Sequence, residues 1–225
     1  MQRSRPHSAE ALIVAELDAT AHAMRSCRRC PRLADHIDTQ RVREPLWHNA
    51  PVPPWGSRDS PLLIVGLAPG RRGANRTGLP FWGDSSGDLL MQALETHGAL
   101  QIRGGQPRLR GVRLVNAVAC LPPGNRPKAI EIQTCREAWL ERELAPKRTI
   151  LSLGRVAHES VRKGLAHSPS QMPFAHRAIA KLSGRTLLTS FHPSPLNTRT
   201  GRLGPDAFIA LISDAIQMAD SSRSG

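Results

Sequence analysis

The sequence predicts an α/β fold: a three-layer α/β/α sandwich with a parallel sheet between helices. Two patterns support this prediction. Short aliphatic runs without polar alternation are typical of strands that are buried on both faces. These runs alternate along the chain with segments in which apolar residues recur every three to four positions, as on one face of a helix. Strands that alternate with helices favour a parallel sheet.

Four aliphatic runs are predicted to be strands. They are PLLIVGL (61–67), GVRLVNAVA (111–119), RTILSLG (148–154) and GRTLLTSF (184–191).

Helices are predicted over 85–98, 128–144, 154–165 and 205–219. Ser85 and Asp88 stand in S-x-x-D capping spacing at the first helix, and Gly98 follows its end. Pro205 is typical of the first position of a helix.

The remaining segments fit one domain over residues 1–225. Residues 1–26 are expected to form a helix outside the core, and residues 221–225 a disordered tail. The proline-rich segment 45–61 is expected to be a surface loop.

The charge of the chain points to a polyanionic partner. Lys and Arg number 31 against 18 acids, which gives a net charge of +13. A domain this basic is typical of proteins that bind nucleic acid, and less often of proteins at an acidic membrane surface. The alternative is a solvated surface rich in arginine.

No run approaches the ~20 apolar residues of a membrane span and no signal segment is evident, so we expect a cytoplasmic, nucleoid-associated monomer.

The four cysteines need an explanation in a reducing compartment, where disulfides are rare. Cys27 and Cys30 form C-x2-C, and Cys120 and Cys135 form C-x14-C. Four thiolates suit a cubane iron–sulfur cluster, and they would equally suit a tetrahedral structural zinc site. Four buried, unligated thiols remain a third interpretation.

Three loops follow predicted strands, at the sheet edge where open parallel sheets bind ligands. They contain GLAPGRRGANRTGLPFWGD, NAVACLPPGNRP and HPSPLNTRTGRL. Together with the cysteine spacing, these loops resemble the type-b (family 5) uracil-DNA glycosylases, which carry an iron–sulfur cluster. The resemblance extends from about Cys27 to the last helix. It implies a four-stranded parallel sheet, a [4Fe–4S] cluster and excision of uracil, and of some other deaminated bases, from DNA.

The resemblance also suggests which residues hold the rotated-out base. Glycine at position 66 would permit the close backbone approach that a pocket wall needs. Phe81 would stack on the base. The amide of Asn116 would donate to uracil O4 and accept from N3–H, a pattern that cytosine does not present. A core phenylalanine and a strand-capping asparagine are the structural alternatives.

The last loop supplies the groups that act on the leaving base and on DNA. His192 would stabilise the anionic charge that develops at uracil O2, and Leu196 would wedge into the space that the base vacates. Arg199 and Arg202 are expected to contact phosphates. Taken alone, His192 would be interpreted as a core or capping histidine.

Asp84 is the candidate for the carboxylate that orients water and stabilises a cation-like sugar. Other families of these enzymes carry a polar residue in the first loop, where this chain has Leu67 and Ala68. Helix N-terminal dipoles would favour the charged form of Asp84. The alternative is a plain acid at a helix start.

One departure from the family pattern concerns substrate range. Arg71 and Arg72 stand where a small residue and a histidine are usual, and Leu79 and Trp82 where Arg and Thr are common. Either arginine could narrow the base pocket or turn outward onto phosphate.

Two rival functions remain from the sequence. A non-catalytic DNA-binding protein stapled by zinc or a cluster would keep the charge and the cysteines but would need no pocket. A hydrolase of nucleotides or phosphate esters would use the glycine-rich loop, but that loop lacks the G-K-[ST] ending of a P-loop.

Overall fold

A computed structural model describes residues 19–222. Most of the helix expected over residues 1–26, and residues 223–225 of the expected tail, lie outside the described residues. Ser221, which we assigned to the tail, is the last residue of a helix. None of the helices described between residues 19 and 222 has the length and apolar character needed to cross a membrane.

The strands are named in chain order. They are β1 (Leu62–Gly66), β2 (Leu100–Arg103), β3 (Gln106–Leu109), β4 (Val112–Asn116), β5 (Thr149–Leu153), β6 (Ile179–Leu182) and β7 (Arg185–Ser190).

The helices are named in the same way. They are α1 (Ala19–Arg25), α2 (Pro31–Arg43), α3 (Ala74–Thr77), α4 (Ser85–Thr96), α5 (Ala129–Cys135), α6 (Glu141–Leu144), α7 (Arg155–Gly164), α8 (Pro195–Arg199) and α9 (Pro205–Ser221). A π-helical turn, Arg136–Leu140, joins α5 to α6, and a 3-10 turn covers Pro123–Asn125.

The main sheet has the strand order β4-β1-β5-β7-β6. The four predicted strands β4, β1, β5 and β7 are parallel neighbours. Their carboxyl ends therefore meet at one edge of the sheet, as the sequence predicted. The predicted α/β class is confirmed, although an antiparallel fifth strand, β6, extends the sheet beyond β7.

Two apolar clusters separate the three layers. One face of the sheet packs against α4 and α9, with Phe208 and Leu94 fully buried. The other face packs against α6 and α7 through residues such as Leu144 and Val161. A third cluster joins α1 and α2 to the segment that follows β4 and to the π-helical turn, and it contains the cysteines.

The loop over 45–61 is not the surface loop that we expected. Residues 51–55 are buried, and their backbone runs along the outer edge of β4. The Val52 amide donates to the Ala119 carbonyl at 2.8 Å, and Trp55 and Leu114 exchange two hydrogen bonds. The segment therefore covers an edge that would otherwise expose unpaired backbone groups.

Candidate active site and thiol cluster

Gly66, Phe81 and Asn116 meet at the carboxyl ends of β1 and β4. A Cβ added at Gly66 would overlap the Phe81 ring and would lie 2.7 Å from Oδ1 of Asn116. Gly66 and Asn116 are also paired in register across the two strands. The structure thus brings together the three residues that the sequence assigned to base binding, and only glycine fits at position 66.

The backbone of Phe81 is strained in the left-handed region, with φ of 62°. Its carbonyl oxygen packs directly on Gly87, where any Cβ would overlap it. Strained residues of this kind persist only where the surroundings determine them, and they concentrate at functional sites. Gly87, which the sequence analysis did not single out, is therefore needed to hold Phe81 in place.

The side-chain amide of Asn116 has an unused hydrogen-bond donor among the described residues. Its Nδ2 is buried and has no acceptor within the described part of the chain. A buried donor without a partner costs about 1–3 kcal/mol. A ligand with a carbonyl oxygen would remove that cost, so Asn116 is suited to recognise a polar base edge.

Asp84 caps helix α4, which corrects the expected capping by Ser85. Its Oδ1 accepts hydrogen bonds from the backbone amides of Ser86 and Gly87, both at 3.1 Å. Its Oδ2 packs against Gly70 and Gly73, where added Cβ atoms would overlap it. One carboxylate oxygen therefore anchors the helix, and the other faces the glycine-rich loop after β1.

His192 follows β7 and lies near enough to Asp84 for their charges to interact. Burial lowers the pKa of His192, and the Asp84 carboxylate acts in the opposite direction. A Cβ added at Gly154, at the end of β5, would lie 3.2 Å from the His192 Cβ. The His192 carbonyl accepts from Asn197 Nδ2 and from the Ser194 amide, both at 2.8 Å. These contacts fix the backbone of His192 at the same sheet edge as Asp84.

Leu196, Arg199 and Arg202 lie at the surface of the last loop. Leu196 is 72% exposed, as an apolar wedge requires before it meets its partner. The Arg202 guanidinium lies 4.4 Å from the centre of the Phe191 ring, and His176 stacks on that ring at 5.1 Å. Arg202 is therefore held by a cation–π contact, which sequence reasoning did not predict.

Arg71 neither narrows the pocket nor extends freely from the surface. Its guanidinium donates to Gln40 Oε1 at 3.2 Å and to Glu44 Oε1 at 3.0 Å. It also lies 5.6 Å from the centre of the Trp47 ring. Arg72 is exposed. The departure from the family pattern at position 71 therefore braces the first loop against α2.

The four cysteines line a single cavity between α2, the end of β4 and α5. All four are free thiols. Cys30 precedes α2 directly, and Cys135 accepts a hydrogen bond from the Ala119 amide at 3.2 Å. The structure thus brings together residues that are up to 108 positions apart, from Cys27 to Cys135.

Burial sets the protonation state of these thiols. Burial raises the pKa of Cys135 to about 12 and also raises that of Cys120, with further contributions from the neighbouring thiols. Free thiols there would be neutral. Within residues 19–222, no three His, Cys, Asp or Glu side chains lie close enough to hold a single metal ion.

Two buried asparagines, missed by sequence reasoning, join the loop after α2 to α3. Asn75 Nδ2 donates to Asn49 Oδ1 at 2.8 Å, and the backbone amide of Asn49 donates to the backbone carbonyl of Asn75 at 3.0 Å. Asn49 Nδ2 donates in turn to the carbonyl of Glu44. The contacts join residues 26 positions apart, so no local pattern signals them.

Comparison with known proteins gives one family. The model of the uracil DNA glycosylase superfamily matches residues 53–216. A type-5 uracil-DNA glycosylase of Thermus thermophilus is 38% identical, over 90% of this chain and 98% of its own. A type-5 enzyme of Mycobacterium leprae is 40% identical, over 86% of this chain and 91% of its own. A type-4 uracil-DNA glycosylase of Thermotoga maritima is 28% identical, over 80% of this chain and 82% of its own.

Proposed function

Since the chain belongs to the uracil DNA glycosylase superfamily, and within it to the type-5 enzymes, we propose the following reaction. The protein is a uracil-DNA glycosylase of base excision repair. It rotates uracil out of the DNA stack and hydrolyses the bond between uracil N1 and the deoxyribose C1′. Its target lies in chromosomal DNA, so it works in the cytoplasm with the nucleoid.

Recognition depends on Asn116 and Phe81. Asn116 Nδ2, buried without an acceptor among the described residues, donates to uracil O4, while Oδ1 accepts from N3–H. The Phe81 ring stacks on the base. Hypoxanthine presents a carbonyl oxygen beside an N–H in the same order, so it is a second expected substrate. Cytosine presents an amine and a bare ring nitrogen, which would leave both amide atoms unpaired.

Bond cleavage uses His192 and Asp84, the two titratable groups at the sheet edge. As the N1–C1′ bond breaks, its electron pair leaves with uracil, and His192 stabilises the charge at O2. The Asp84 carboxylate stabilises the positive charge at the sugar and orients a water molecule. The water oxygen forms a bond to C1′, and its proton is released to solvent or to the departing uracil anion. No lysine occurs in the three loops quoted above, so a Schiff base is not formed and the product is an intact strand with an abasic site.

The single observation that carries this proposal is the convergence of Phe81, Asn116, Asp84 and His192 at one edge of the sheet. A non-catalytic DNA-binding protein would not need that convergence. We expect the purified protein to release uracil from a duplex oligonucleotide and to leave thymine and cytosine in undamaged pairs. Binding of DNA without base release would instead support the non-catalytic alternative.

We predict that Asn116→Asp lowers the single-turnover rate of uracil excision by about 10- to 100-fold, because a carboxylate offers no donor to O4. The matched control is Asn125→Asp, the same change at an exposed turn position after β4. A rate unchanged by Asn116→Asp would remove this amide from recognition, and loss of activity in the control alone would transfer the role to Asn125.

We propose that the cysteine cavity holds a [4Fe–4S] cluster, with a structural zinc ion as the alternative. Four thiolates on one zinc, each about 2.3 Å from the metal, would lie within about 4 Å of one another. In a cubane each cysteine binds a different iron, so the four sulfurs would stand farther apart. Cys27, Cys30, Cys120 and Cys135 would hold the cluster, which would supply a covalent link between α2 and the sheet.

We predict that the protein purifies brown, with iron and sulfide in equal amounts, and that Cys120→Ala removes the colour. Loss of a metal group costs about 4 kcal/mol or more, so thermal unfolding should shift down by about 10 °C. Thr134→Ala, which alters the same cavity but keeps the four thiols, should stay brown. A colourless protein with one zinc per chain would support the zinc alternative.

A further inference from the structure

Leu46 is the most exposed large apolar side chain in the described part of the protein. It is 97% exposed, compared with 72% for Leu196. Val42, one turn earlier at the end of α2, is 85% exposed. Single exposed apolar residues are ordinary, but two such neighbours where a helix ends in a turn need an explanation.

The loop that carries Leu46 is fixed to the first site loop. The His48 amide donates to the Arg76 carbonyl at 3.0 Å, and the Asn49 amide donates to the Asn75 carbonyl at the same distance. Burial lowers the pKa of His48 to about 4, so its ring is neutral and packs against Gly78. Leu46 is therefore presented on a rigid support beside the base pocket.

The same surface is basic. Arg43, Arg72 and Arg76 are exposed around the loop, and none of them has a carboxylate partner among the ion pairs of residues 19–222. Glu44, the acid at the end of α2, is already paired with Arg71 at 3.0 Å. Arg76 reaches toward the Gly83 carbonyl, next to Asp84. An apolar tip among unpaired guanidinium groups complements a DNA duplex, which offers phosphates around a groove.

We propose that Leu46 is a second apolar probe that enters the substrate duplex next to the rotated-out nucleotide, with Arg43 and Arg72 on the flanking phosphates. The proposal rests on the proposed glycosylase function. The loop after β1, to which the Leu46 loop is hydrogen-bonded, and the loop after β7, which carries Leu196, begin at strands two positions apart in the sheet, or roughly 10 Å. The two leucines would therefore contact the duplex from two separate loops.

The test compares Leu46→Ala with the intact protein on a uracil-containing duplex. We expect the DNA concentration for half-maximal excision to rise about tenfold, as for the loss of one buried leucine contact, while the rate at saturating DNA changes less than twofold. Leu46→Met should restore most of the affinity. Arg72→Ala should reduce the dependence of binding on salt by about one counterion.

Ile102→Ala is the matched control, since Ile102 is 53% exposed in the β2–β3 hairpin, which precedes the amino end of β4. A half-saturating concentration within twofold of the intact protein for Leu46→Ala would overturn the proposal, as would an equal effect of Ile102→Ala. So would a lower saturating rate or a lower unfolding temperature without a change in affinity. If the intact protein released no uracil at all, the proposed function itself would fail, which is a distinct result.

Discussion

Asp84→Asn is expected to lower the single-turnover rate of uracil excision by about 10²- to 10⁴-fold. The asparagine side chain keeps an oxygen that can accept from the Ser86 and Gly87 amides, so helix α4 remains capped. It loses the negative charge that stabilises the sugar cation. The change therefore separates the chemical role of the carboxylate from its structural role, which alanine cannot do.

Asp84→Ala removes both roles. Beyond the loss of rate, it should cost about 1 kcal/mol of stability, as lost helix caps do. Asp88→Asn is the control, because Asp88 is an exposed acid on the same turn of α4. Excision at a near-normal rate by Asp84→Asn, with normal unfolding temperature, would leave Asp84 as a helix cap only.

A second variant would move the Asp84 carboxylate without replacing it. A Cβ at Gly70 would overlap Asp84 Oδ2 but would lie 3.5 Å from its Cγ, an ordinary contact, so Gly70→Ala should displace the free oxygen while Oδ1 keeps its contacts. If Asp84 acts through position, this variant should slow excision while base binding is retained. An unchanged rate would show that the orientation of Oδ2 is unimportant.

The parallel core could be predicted from the sequence because each buried strand is a continuous aliphatic run. The strand β6 could not, since only alternate residues of Ile179–Leu182 are even partly buried. The one feature of the sequence that indicates this hairpin is the dipeptide Ser183–Gly184. It forms a two-residue turn in which both residues have positive φ. Gly104 and Gly105 form a similar turn between β2 and β3. The edge strand β6 and the β2–β3 hairpin were therefore not predicted, because their residues follow no clear hydrophobic pattern.

The candidate site also has a part that the sequence could predict and a part that it could not. The residues that would touch the base stand in motifs, and the sequence could identify them. The residues that hold those motifs in place depend on contacts between distant segments, as with Arg71, whose partner Glu44 is 27 positions away. The cap formed by Asp84 was missed because Ser85, one residue later, fits the same local pattern with Asp88.

His192→Ala is expected to lower the excision rate by about 10²- to 10³-fold, as the loss of one preorganised donor does. His97→Ala, an exposed histidine at the end of α4, should have no effect. Burial lowers the pKa of His192 below its ordinary value of 6.5, so the ring is neutral at pH 7 and acts as an N–H donor. Its contribution should then be constant from pH 7 to 8.5 and should not decline as the pH rises.

A cationic imidazole would behave differently. Its contribution would be present only below the pKa, and excision would slow as the pH rises from 6 to 8 in the intact protein but not in His192→Ala. That result would contradict the prediction that His192 acts as a neutral N–H donor. A flat profile in both proteins, combined with a large rate difference at every pH, would support it. Since Asp84 opposes the effect of burial on His192, Asp84→Asn should lower the His192 pKa further and leave that flat region intact.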